Sequence, residues 1–267
     1  MFQTYLVYLT TTKILMIKLD KVIESVYERW SKVTFIKSSK YDTAFLKENM
    51  MGPNAIKIVE ELSESLELEK SMRVLDLGCG RGLTSIFLAK EYGVTVFATD
   101  LWISATENYE RIKSMGLEDK IIPIHAEAHD LPFAHEFFDI AICVDAYHYF
   151  GVEEDYLTKY FAPLVKKGGQ IAVAVPGLKQ EFTNGVPEEL LPYWFDNMNL
   201  HSCDWWYNLW KTSDLVSIKE CKELNCLKEA WQDWLLCDND YARRDIGMMK
   251  AEGGKYFNFV SIIATKL

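Results

Sequence analysis

Residues 73–82 read Arg73-Val74-Leu75-Asp76-Leu77-Gly78-Cys79-Gly80-Arg81-Gly82, and this stretch decides the fold. Val74, Leu75 and Leu77 form a short apolar run of the kind buried in a parallel sheet, and glycines at every second position then break the chain. Residues 83–90 follow with apolar side chains at helical period. Strand, glycine turn and helix start together make a cradle for a nucleotide-type cofactor. Glycines let the backbone approach a ligand closely, and the first helical turn offers unpaired N–H groups.

The glycine spacing narrows the choice of cofactor. A dinucleotide fingerprint reads G-x-G-x-x-G, and its third glycine packs helix on strand. Here Leu83 stands in that third place, which disfavours a nicotinamide oxidoreductase. Asp76 sits at the strand end, where a carboxylate can accept from a ligand amine or order the turn. The pattern Asp76-Leu77-Gly78-Cys79-Gly80-Arg81-Gly82 resembles motif I of the class I S-adenosylmethionine (SAM)-dependent methyltransferases.

Outward from this stretch the spacing predicts strands at 94–99, 120–125, 138–144 and 170–175, with helices at 83–90, 103–114 and 155–164 between them. Such alternation implies an α/β fold with a parallel sheet and helices on both faces. An aromatic-rich insertion at 176–212 interrupts it. Residues 215–224 and 256–265 then read as two last strands joined across a helix at 227–236. The resemblance makes this a Rossmann-like sheet with an antiparallel last strand. Amphipathic spacing upstream, at 16–35 and 54–66, predicts N-terminal helices. The expected organisation is a helical arm or lid over 1–66 and a SAM-binding α/β domain over 67–267, with the insertion as acceptor cap.

Ligands in such sheets bind outside the carboxyl ends of the strands. Asp100 ends the second strand, about 20 residues beyond the glycine turn, where a carboxylate accepts from ribose hydroxyls; Leu101 adjoins it. The third strand ends in Ala126-Glu127-Ala128-His129-Asp130-Leu131-Pro132-Phe133, similar to the family's acidic-Ala-x-x-Leu-Pro-Phe motif. By that resemblance Glu127 accepts from the adenine amine and the Ala128 N–H meets the ring. The family usually has Asp there, and Glu is longer by one methylene. Phe137-Phe138-Asp139 matches the family's signature at the fourth strand. The resemblance covers about residues 70–176. It implies SAM as cofactor, S-adenosylhomocysteine (SAH) as product, and a cradle of Asp76, Gly78, Cys79, Gly80, Gly82, Asp100, Leu101, Glu127, Ala128 and Asp145.

Methyl transfer from a sulfonium mainly requires that the nucleophile be positioned against the methyl carbon. The loop at 143–151 is expected to face it, with His148 as base, Tyr147 as polariser and Asp145 as holder of the methionine amine or of an acceptor cation. Phe182, Tyr193, Trp194, Phe195, Trp205, Trp206, Tyr207 and Trp210 in the insertion are expected to wall the acceptor pocket or hold an alkylammonium, with Trp194, Trp205, Trp206 and Tyr207 as the leading candidates. Arg243 and Arg244 are candidates for an acceptor carboxylate. The chain resembles the small-molecule branch, loosely the ubiquinone-biosynthesis and cyclopropane-synthase-like enzymes. Arsenite-type methylation through Cys203, Cys221 and Cys226 is a second enzyme reading. A SAM-binding regulatory or partner protein without catalysis is an alternative of another class, and a blocked acceptor cavity would favour it.

The 267 residues carry a net charge of -10, which argues against nucleic acid as a partner. Charge is uneven: residues 1–40 hold seven basic and three acidic residues, a basic arm on an acidic body. No run reaches the ~20 apolar residues of a membrane span. Six cysteines without a C-x-x-C pair read as reduced thiols in a cytoplasmic protein with no metal.

Overall fold

The structure, a computed structural model, describes residues 35–195 and 197–267. The expected helix over 16–35 and most of the basic arm lie outside the described residues. Seven strands form one sheet: β1 (Arg73–Leu77), β2 (Thr95–Asp100), β3 (Ile121–His125), β4 (Phe138–Val144), β5 (Val165–Leu178), β6 (Val216–Glu223) and β7 (Phe257–Lys266). Their order is β3-β2-β1-β4-β5-β7-β6. Strands β1 to β5 pair in parallel, and β7 runs antiparallel to both β5 and β6. Residues such as Val74, Ile140, Ala141 and Val173 are fully buried, as strands covered on both faces require.

The helices are α1 (Thr43–Asn49), α2 (Ala55–Ser63), α3 (Leu83–Tyr92), α4 (Ala105–Ser114), α5 (Cys203–Trp210), α6 (Leu227–Leu235) and α7 (Asp240–Glu252). Side-chain caps start most of them. Asp42 caps α1, Asn54 caps α2, Ser202 caps α5 and Asn239 caps α7, while Ser104 and Glu107 form a capping box on α4. The helix expected over 155–164 is instead a π-helical turn at Leu157–Phe161 running into a 3-10 turn at Ala162–Leu164. Pro163 has no N–H to give, so an α-helical ladder cannot continue through it. Helix α7 lies beyond the one expected between the last two strands; its polar sequence carries little apolar periodicity.

The N-terminal helices are tied to the far side of the sheet by buried carboxylates. Glu61 of α2 accepts from the N–H of Asn225, the Asn225 side-chain amide and the N–H of Cys226, each at 2.8 Å. Glu60 accepts from the N–H groups of Lys37 and Ser38, both at 2.8 Å. The Asn54 N–H donates to Ala230 O at 3.0 Å. These bonds fix the loop at 50–53 above the carboxyl ends of the parallel strands.

Glu61→Ala should strand donors that the carboxylate now satisfies, at a cost of about 3 kcal/mol. At roughly 2–4 °C per kcal/mol, calorimetry should record a Tm about 6–12 °C lower. A fall of less than about 2 °C would show that these bonds do not hold α2 in place.

Candidate active site

The strand order reverses between β1 and β4, so the chain leaves these neighbours toward opposite faces and a crevice opens at their carboxyl ends. The glycine turn fills one wall. Gly78, Gly80 and Gly82 have φ of 72°, 52° and 77°. A Cβ on Gly78 would come 2.4 Å from Ala146 Cβ, so a side chain there would push the β1 and β4 loops apart.

Asp76 lies beneath this turn, not in the crevice. Its Oδ2 accepts from Thr84 Oγ1 at 2.6 Å and Ser85 Oγ at 2.5 Å, which ties β1 to the first turn of α3. Its Oδ1 is buried without a partner, and burial pushes the carboxyl up to about 6. Of the two roles its position allows, ordering the turn is the one these bonds perform. Gly82 is the N-cap of α3 and also stands off the crevice.

Asp100 joins the turn to β2. Its Oδ2 accepts from the Gly80 N–H at 2.7 Å, and its Oδ1 from the N–H groups of Trp102 at 2.8 Å and Ile103 at 2.9 Å. A carboxylate offers about four acceptor sites, so capacity remains for a ligand hydroxyl. A cavity of about 200 Å³ opens beside it, lined by residues 49–53, 78–81, 100–102, 126–128 and 144–146. Gly78, Cys79, Gly80, Asp100, Leu101, Glu127, Ala128 and Asp145 therefore share one cavity.

The charge of this lining bears on what fits. Carboxylates of Asp100, Glu127 and Asp145 face Arg81, whose guanidinium donates to Glu48 O at 2.5 Å. A pyrophosphate would meet an excess of negative charge; a ribose diol and a cationic sulfonium amino acid would not. SAM thus fits the donor and acceptor set. Glu127 is held at the wall by His129, which donates its N–H at 2.8 Å and places Nδ1 2.7 Å from the other carboxylate oxygen. Burial raises the Glu127 carboxyl, but these bonds outweigh it and leave it below the usual range. In return the Glu127 bond holds His129 above its ordinary value.

Asp145 follows β4 in a left-handed conformation, φ 56°, with its N–H on Ala174 O at 2.8 Å. No described side chain or backbone donor meets its carboxylate. Burial pushes it up to about 7, and the field of Asp245 adds to this. A Cβ on Gly52 would lie 2.5 Å from Asp145 Oδ2, so the loop at 50–53 closes directly onto it.

A second cavity of about 640 Å³ meets the first at Met51, Gly52, Pro53, Asp145 and Tyr149. His148, Tyr193, Phe195, Trp231, Trp234 and Asn258 contribute walls. Because β7 is antiparallel, its first residues come opposite the end of β5, and Asn258 pairs with Gly177 at the cavity. His148 is 5% exposed, and burial lowers its imidazole to about 4.

The structure corrects part of the expected acceptor side. Tyr147 is fully buried in the core against Trp206 and Trp210 and lines neither cavity, because the 3-10 turn at Tyr147–Tyr149 sends it inward while Tyr149 faces out. Trp205 stacks on His201 at 3.7 Å, Trp206 is buried, Tyr207 is half-exposed and Trp194 packs on Phe182. None of the four lines either of these two cavities, since α5 docks on β6 and β7 at the sheet edge. The insertion contributes Tyr193 and Phe195 in their place, and the other aromatic walls come from α6 and α7. Trp231 and Trp234, three apart on α6, gave a signal for a shared face; Tyr241, Asp245 and Asn258 gave none. Arg244 lines the second cavity, whereas Arg243 pairs outside it with Asp238 and Asp240. All six thiols are free; of the three thiols of the arsenite reading Cys203 and Cys221 meet, with Cys221 Sγ donating to Cys203 O at 3.4 Å, but no described group of three or more His, Cys, Asp and Glu could hold a metal ion.

Residues 74–169 match the methyltransferase domain family. The methyltransferase GfsG of Streptomyces halstedii is 30% identical over 119 residues, 44% of this chain and 42% of that protein. A probable protein arginine N-methyltransferase of Arabidopsis thaliana is 34% identical over 77 residues, 29% of this chain and 18% of that protein. The chain thus spans less than half the length of these curated relatives. Among solved structures, geranyl diphosphate C-methyltransferase from Streptomyces coelicolor, in complex with SAH, superposes with TM-score 0.63 at 16% identity, covering 79% of this chain and 78% of that one. Haemonchus contortus phosphoethanolamine N-methyltransferase 2, in complex with SAM, gives 0.65 at 17% identity, covering 88% and 60%. The fold is shared with both. Over residues 74–169 the chain is thus similar to the methyltransferase domain family, and it shares its fold with SAM-dependent methyltransferases.

Proposed function

We propose that this protein transfers a methyl group from SAM to a small-molecule acceptor, with SAM in the smaller cavity and the acceptor in the larger. The observation that carries this reading is that the two cavities meet at Asp145, so that a ligand in each would come together there. SAM supplies an electrophilic methyl whose C–S bond breaks toward sulfur as the acceptor lone pair forms the new bond, leaving SAH. A concave cavity of about 640 Å³ is of the size that takes a compact molecule. Because that cavity is open to the first, catalysis is favoured over a binding-only role. Free thiols raised by burial, such as Cys79 and Cys143, suit a cytoplasmic setting. Among the described residues, no helix is long and apolar enough to cross a membrane.

The residues divide the work between them. Asp100 receives the ribose hydroxyls, and Glu127 with the Ala128 N–H meets the adenine edge. The loop at 50–53 covers the junction and keeps water from the reacting atoms. His148, neutral at pH 7, offers a hydrogen bond into the acceptor cavity; its depressed basicity leaves proton removal to a carboxylate.

Asp100→Ala should weaken SAH binding about 10- to 100-fold in calorimetry, the loss expected when hydrogen bonds to a charged acceptor disappear. An unchanged affinity would remove Asp100 from the cofactor site.

His148 should stay neutral in NMR titration from pH 8 down to about 5, since its folded value of about 4 lies below the ordinary 6.5. That ordering means its contribution to stability is complete above pH 6.5 and is lost as pH falls toward 4. A titration midpoint near 6.5 would contradict its burial.

A further inference from the structure

The larger cavity sets two carboxylates against a single guanidinium among its lining residues. Asp145 enters it from the loop after β4 and Asp245 from α7. The Asp145 carboxylate has no described partner. Asp245 accepts from Trp234 Nε1 at 2.7 Å through one oxygen only. Two further side chains lining the cavity are buried with polar atoms unpartnered: Nδ1 of His148, and both Oδ1 and Nδ2 of Asn258, a residue 3% exposed. Neutral donors line the cavity as well, in the hydroxyls of Tyr149, Tyr193 and Tyr241, the amides of Asn197 and Asn258 and Trp231 Nε1, but the one cationic side chain among the lining residues is Arg244, an exposed rim residue whose guanidinium lies 5.7 Å from the Tyr241 ring centroid. A buried acceptor without a donor is costly, so the favoured ligand is one that brings donors and positive charge.

The walls agree with this charge. Trp231 and Trp234 are buried at the cavity and Tyr193 and Phe195 face them from the insertion, which gives apolar area for a carbon skeleton and π faces for a cation. Tyr193 lies so close to α7 that a Cβ on Gly247 would sit 2.6 Å from its ring, so this wall has no room to retreat. A carboxylate or phosphate ligand would confront Asp145 and Asp245 with only a rim arginine to offset them.

We propose that the acceptor is an organic amine, entering as its ammonium and held by the Asp145 and Asp245 carboxylates, with the aromatic walls around its carbon skeleton. This rests on the reading of the two cavities as cofactor and acceptor sites. An ammonium has no lone pair to donate, so one N–H bond must break before methylation. Asp145 is placed to take that proton at the junction: the proton moves to a carboxylate oxygen, and the nitrogen keeps the electron pair. Burial, and then the field of Asp245, brings Asp145 to about 7, where it can both hold an ammonium and accept its proton.

The test is calorimetry on SAH-saturated protein with three isosteres: 2-phenylethylammonium, 2-phenylethanol and 3-phenylpropanoate. The ammonium should bind and the other two should not. In Asp245→Asn the ammonium affinity should fall at least about tenfold, as expected for loss of a charged contact. SAH affinity should stay at the wild-type level, because the amide oxygen of Asn still accepts from Trp234 Nε1 and the variant keeps its fold. The proposal is overturned if the alcohol or the carboxylate binds as well as the ammonium, if the ammonium does not bind, or if Asp245→Asn leaves its affinity unchanged. Failure of SAH itself to bind would instead bring down the reading of the cofactor site, and this proposal with it.

Discussion

Three backbone N–H groups converge on the Asp100 carboxylate, and the cofactor crevice depends on that convergence. Gly80 belongs to the loop after β1, and Trp102 and Ile103 to the loop after β2, so one side chain locks two crossover loops together. The groups it gathers are backbone donors at the start of new segments, where helical partners are absent. Asp76 supports the same turn from below through Thr84 and Ser85. With the turn held from two sides, its glycines can keep left-handed conformations that leave the wall thin enough for a ligand to lie against the backbone.

The second dependence is the junction at Asp145. A left-handed residue after β4 carries an unpartnered carboxylate between two cavities, and the loop at 50–53 presses on it. That loop is positioned from afar, because the α2 carboxylates Glu60 and Glu61 bind backbone N–H groups at 37–38 and 225–226. The turn between β6 and α6 therefore positions both the loop over the smaller cavity and, through Trp231 and Trp234, the walls of the larger one. The two cavities share a frame, so a displacement of α2 would be felt in both.

Legibility in the sequence followed the range of the interactions. Strand positions were readable to within a residue or two for most of the sheet, because burial on both faces writes a local apolar run such as Val74-Leu75 or Ile140-Ala141-Ile142. The cofactor wall was readable for a similar reason: Gly78, Gly80 and Asp100 are fixed by the turn and by the end of the next strand. The larger cavity was not, since its walls join part of the insertion to α6, α7 and β7, elements distant in sequence that the antiparallel return of β7 brings to β4. Aromatic density in the insertion drew attention to Trp205 and Trp206, which the sheet edge buries. Tyr147 shows the same limit on a smaller scale, because the sense of one 3-10 turn decided which of three adjacent aromatic side chains faced the core. Glu127 was visible as an acidic residue, while its partner His129 depended on a turn geometry that no motif encodes.

The most direct test of the account is a calorimetric titration of the intact protein with SAH and, separately, with NAD. A crevice with carboxylates at Asp100, Glu127 and Asp145 and glycines at 78, 80 and 82 should bind SAH and give no heat with NAD. Binding of NAD with no response to SAH would contradict the reading of the glycine turn and of everything placed around it.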